Sequence, residues 1–190
     1  PISHVMGACM GCGPAAAFGV AHPQTTASLV LYWPVGGAHY RINSHQRFAE
    51  HLKYIRQHGL AGIAALVTKE RKPFNQDPRG GPWATVIAND PAFAGAYITQ
   101  DLMRYFDVTS GTRESLFDRD TAPGAKPEDL MKVEAPALIV PGRDRTHATS
   151  AARYLEECLP KAEYWDVSVD DQTEASVPPR IIDFLGRAGA

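Results

Sequence analysis

The stretch Val5-Met6-Gly7-Ala8-Cys9-Met10-Gly11, running into Pro14-Ala15-Ala16-Ala17-Phe18, decides how the chain is read. Its layout is a short apolar strand, a turn with glycine on both sides of a polar residue, then a small-residue helix. That is the arrangement of a nucleophile-bearing turn, G-x-S-x-G, with Cys9 in the serine position. Such a turn is strained, so small residues two places before and after the nucleophile are expected, to let strand and helix pass closely. The side chain then projects at a helix start. There the dipole and the free N–H groups favour negative charge on sulfur and can hold an oxyanion.

Outward from this turn the pattern is layered. Pro14 to Ala21 reads as a helix with proline in its first turn, and Ser28 to Trp33 as a strand buried on both faces. Strand, helix and strand within about 30 residues imply a βαβ unit and a parallel sheet. Pro136 to Pro141 is a second buried strand, with the turn Gly142-Arg143-Asp144 at its carboxyl end. Thr149 to Cys158 is a helix, Glu163 to Val167 a strand, and Pro179 to Arg187 a closing helix. Between Pro34 and Ala135 no strand is evident. Helical spacing covers about 44–58, 62–69, 83–89 and 91–106, with Gly59 as a stop. The expected organisation is therefore an α/β core formed by residues 1–34 and 135–190, with residues 35–134 inserted as a helical cap.

Composition narrows the function classes. The net charge is −2 with a pI near 6.4, which gives nucleic acid or an anionic membrane no electrostatic handle. The chain has no apolar run of about 18 residues and no leader-like segment. Its 3 cysteines are an odd number in a long chain, which favours a reducing compartment and hence the cytoplasm over a disulfide scaffold.

The chain resembles the α/β-hydrolase family from the nucleophile turn to the C-terminus. Gly7 to Gly11 carries the resemblance, with Ala135-Pro136-Ala137-Leu138-Ile139-Val140-Pro141-Gly142-Arg143-Asp144, the helix from Ala151 to Pro160, and Ile181-Ile182-Asp183-Phe184-Leu185. The order nucleophile, cap, acid, closing helix is also the family's. The resemblance implies hydrolysis or acyl transfer of a small ester, thioester or lactone. Cys9 would be the nucleophile, the Met10 N–H an oxyanion donor and Asp144 the acid, with no cofactor and no metal. In the family the strands before the nucleophile complete the sheet, so strand Ile2 to Met6 would be an exposed edge. A preceding segment or a separate polypeptide is expected to cover it.

The base is the departure from the family. The loop from Val169 to Ser176, where the family carries its histidine, has none. His147, three residues beyond Asp144, can stand in for it; Asp171 and Glu174 are carboxylate alternatives. His39, His45 and Trp33 are candidates for substrate contact, with Tyr40, Trp83 and Tyr97 as further cap aromatics. Two other readings stay open. One is a non-catalytic member of the fold that binds a small ligand or a protein. The other is a Cys9-x-x-Cys12 thiol redox centre.

Overall fold

In a computed structural model, which describes residues 1–189, the chain divides into two compact units, 1–41 with 119–189 and 42–118. The division lies inside the expected 35–134 insertion at both ends. Residues 119–134, with the short helix α6 (Pro127–Leu130), go with the sheet because Ala122, Leu130 and Val133 are buried in its core.

The first unit is a four-stranded, all-parallel sheet: β1 Ser3–Ala8, β2 Thr26–Tyr32, β3 Ala137–Val140 and β4 Ala162–Tyr164, in that spatial order. Alternation of side chains along the strands builds a core on each face. Leu29, Leu31, Ala137 and Ile139 point to one side. They meet α1 (Cys12–Ala21) and α7 (Thr149–Cys158) through Ala15, Ala16, Ala152 and Leu155. Val30, Leu138 and Val140 point to the other side and meet Phe184 of α8 (Val177–Ala188). Burial on both faces explains why β2 and β3 are uninterrupted apolar runs.

β1 is an edge of this sheet, and Ile2 and Met6 on it are exposed. His4, which its strand position suggests is buried, is exposed for the same reason, although its Nδ1 does meet Ser28 Oγ at 2.8 Å.

The second unit is helical. The segment α2 (Ala38–Glu70), in which the unit boundary falls, is two helices that meet at Gly59, the expected stop. Gly59 is not helical (φ 63°, ψ −175°), a conformation glycine tolerates. The expected helix over 91–106 is two, α4 (Pro91–Ile98) and α5 (Leu102–Leu116). Asp90 and Asp101 cap them by accepting from the N–H groups of Phe93 and Arg104. α3 (Ala84–Asn89) completes the set. The core holds Ile55, Ile63, Tyr97 and Tyr105, so Tyr97 is packing rather than pocket wall. His51 is fully buried there. Its Nδ1 lies 2.8 Å from the Arg79 carbonyl and its Nε2 3.1 Å from the Tyr105 hydroxyl; burial holds its pKa below the usual value.

The glycines on either side of Cys9 differ in what they carry. A Cβ on Gly7 would sit 2.3 Å from the Gly11 carbonyl oxygen, so strand and helix do cross too closely for a side chain at that point. A Cβ on Gly11 would meet nothing within 4 Å, and smallness is not required there. Gly7→Ala is expected to destabilise the chain by about 2 kcal/mol or more, as overpacking does. Gly11→Ala is expected to be neutral or to stabilise by up to about 1 kcal/mol. Urea unfolding of both variants measures the contrast.

Candidate active site

Parallel strands gather their carboxyl ends at one edge of the sheet, which is where ligands bind in open α/β folds. Strain concentrates there in this chain. Cys9 follows β1 with φ 55°, Trp33 follows β2 with φ 53° and Arg143 follows β3 with φ 59°. A non-glycine residue in this region costs on the order of 1–3 kcal/mol and persists only where its surroundings enforce it.

Cys9 is exposed and opens a 3-10 turn, Cys9–Gly11, that feeds α1. The N–H groups of this first turn have no acceptor within the helix, which leaves Met10 able to donate. The Met10 side chain itself is exposed.

Asp144 and His147 share one loop after β3. Asp144 Oδ1 accepts from the N–H groups of Thr146 and His147, both at 2.7 Å. Its Oδ2 lies 2.8 Å from His147 Nδ1, and His147 Nε2 lies 3.2 Å from Cys9 Sγ. Partial burial pushes the Asp144 carboxyl up. Hydrogen bonds from the His147 ring and from the N–H groups of His147 and Thr146 outweigh that and hold it below the usual carboxylate range. An ionised Oδ2 makes Nδ1 the protonated ring nitrogen and leaves Nε2 to accept from the thiol. The carboxylate is half-exposed and therefore screened, so it acts more by orienting the ring than by its field.

The loop is fixed from three directions. The Gly36 N–H donates to the Thr146 carbonyl at 3.0 Å, and Arg143 pairs with Asp166. The Gln172 amide donates to the Pro141 carbonyl at 2.8 Å. The same amide's Oε1 accepts from the Trp33 indole N–H at 2.6 Å, and the Trp33 ring stands 5.4 Å from the His147 ring. Gly142 is needed beneath this contact, since a Cβ there would lie 2.5 Å from the His147 Cβ.

Of the residues singled out from sequence, Cys9, Asp144 and His147 meet directly, with Met10 next to the sulfur and Trp33 against the imidazole. His39 is exposed on the first turn of α2 and makes no hydrogen bond or ring contact with them among the described residues. Asp171 accepts from Ser168 and Glu174 is exposed, so neither carboxylate reaches Cys9. Gln172 is the residue that sequence reasoning passes over. It occupies the histidine-less loop, and its contact with Trp33 spans 139 positions, so no local pattern marks it.

Cys12 is buried, its thiol lying 3.2 Å from the Gly7 carbonyl and 3.3 Å from that of Tyr32. Burial above all, with Cys9 nearby, pushes it up to about 12. A thiol held protonated in this way is a poor resolving partner for Cys9.

No protein-family model and no curated protein matches the sequence. Solved structures do. An α/β hydrolase from Sphaerobacter thermophilus superposes with a TM-score of 0.51 at 13% identity, over 100% of this chain and 68% of that one. A candidate non-heme bromoperoxidase from Mycobacterium tuberculosis gives 0.52 at 21%, over 99% and 68%. A membrane phospholipase A described as a bacterial virulence factor gives 0.53 at 18%, over 98% of this chain and 57% of that one. The fold is that of the α/β-hydrolases. The chain thus spans little more than half the length of that phospholipase. No helix among the described residues is long and apolar enough to cross a membrane.

Within this α/β-hydrolase fold, Gln172 has a measurable consequence. Gln172→Ala is expected to slow iodoacetamide alkylation of Cys9 by about three- to thirtyfold, the size of coupling between contacting residues. In a His147→Ala background the same change should have no effect. Equal slowing in both backgrounds would mean that Gln172 supports only the fold.

Proposed function

We propose that the chain carries a cysteine-dependent hydrolase or acyltransferase site for a small ester, thioester or lactone, with Cys9 as nucleophile, His147 as base and Asp144 as orienting acid. The observation behind this reading is the continuous path from Asp144 Oδ2 through His147 to Cys9 Sγ, at 2.8 and 3.2 Å. It also supports a base outside the Val169–Ser176 loop, which has no histidine.

The chemistry follows from the atoms. His147 Nε2 takes the thiol proton as Sγ attacks the carbonyl carbon, and the Met10 N–H receives the developing oxyanion. The tetrahedral intermediate collapses when Nε2 returns that proton to the leaving alcohol or thiol, leaving an acyl group on Cys9. Water, deprotonated by Nε2, or an acceptor alcohol or thiol then attacks the thioester. The acid or new ester departs and the thiol is restored. The acyl group stays on the protein throughout, so the scheme needs no cofactor.

Hydrolysis of p-nitrophenyl acetate, phenyl thioacetate and a simple lactone tests the assignment. Cys9→Ala is expected to abolish turnover and His147→Ala to lower kcat/KM by at least about 100-fold. Asp144→Asn is expected to cost less, about tenfold, because its carboxylate is half-exposed. Turnover that survives Cys9→Ala would overturn the reading, and wild-type protein inert to all three would favour ligand binding without catalysis.

A further inference from the structure

The helical unit contains a polar cavity of its own. It has a volume of about 250 Å³ and is lined by residues of α2 and α5, among them Leu52, Lys53, Arg56, Phe106, Ser110 and Arg113. That is room for about eight waters, or for a small organic molecule. Its lining side chains include three cations and no carboxylate.

Two of the three cations are not neutralised. Lys53 and Arg56 pair with no carboxylate among the described residues. The Arg56 guanidinium lies 4.6 Å over the Phe106 ring, a contact that leaves its N–H donors unspent. Arg113 gives its Nη2 to Glu114 at 3.2 Å, but its Nε is buried without an acceptor. A buried guanidinium N–H without a partner is costly, and an anion in the cavity would satisfy it. Guanidinium groups suit planar oxyanions in particular, through paired N–H donors. The neighbouring Phe106 and Leu52 surfaces suit an apolar body attached to that anion.

We propose that this groove binds a small organic anion, a carboxylate on an apolar body, with Arg56, Arg113 and Lys53 on the carboxylate and Phe106 with Leu52 on the body. The site lies wholly within residues 42–118 and does not depend on the chemistry of Cys9.

The test uses the full chain, with side-chain Nε–Hε resonances of arginine followed by NMR at constant ionic strength. Benzoate is expected to shift the Arg113 and Arg56 signals saturably, with a Kd of about 1 mM or tighter. Benzyl alcohol has the same ring without the charge and should leave them unmoved; inorganic phosphate should bind at least about tenfold more weakly than benzoate. Arg56→Gln, an exposed substitution that leaves Arg113 in place, is expected to weaken benzoate at least about tenfold. The proposal is overturned by the absence of saturable shifts up to about 20 mM benzoate, or by unchanged binding in Arg56→Gln. Equal binding of benzyl alcohol or of phosphate overturns it as well.

Discussion

The close crossing of β1 and α1 at Gly7 is the constraint on which the site depends. With the Gly11 carbonyl 2.3 Å from where a Cβ would lie, the chain can turn from strand to helix within a few residues. That turn holds Cys9 at φ 55° and leaves it exposed. A looser turn would let Cys9 relax to an ordinary conformation and fold its side chain back. Beneath it, the buried Cys12 thiol beside the Gly7 and Tyr32 carbonyls ties the same turn to β2. The second cysteine of the C-x-x-C spacing thus serves the geometry of the first.

The rest of the arrangement concerns economy of reach. Asp144 uses one oxygen to close its own loop on the Thr146 and His147 N–H groups and the other to hold the His147 ring. Carboxylate and imidazole therefore come from a single loop, and the orientation of the imidazole does not rely on matching two distant segments. A second contact to the ring comes from the Trp33–Gln172 pair, whose indole stands 5.4 Å from the imidazole. The segment from Val169 to Ser176 has no histidine to offer but still contributes to the site through Gln172.

Much of this was legible in the sequence, and for physical reasons. β2 and β3 are buried on both faces, so they stand out as apolar runs bounded by proline. Gly7, Cys9 and Asp144 belong to short-range patterns in which spacing carries the geometry. His147 was legible as a stand-in for the same reason, lying three residues from the acid. What escaped was non-local or depended on context. Gln172 is a polar loop residue until the fold brings it to Trp33. His4 sits in a strand pattern, and only the sheet order shows that the strand is an edge. The break between α4 and α5 lay within an unbroken helical periodicity, where the Asp101 cap outweighs the pattern.

The central claim is that Cys9 carries the acyl group. Rapid quenching of the native chain with a slowly hydrolysed thioester, followed by intact mass and peptide mapping, tests it most directly. The account predicts one acyl group per chain, on Cys9 and not on Cys12 or Cys158, appearing and decaying at rates compatible with turnover. Product formation with Cys9 unmodified throughout would contradict it.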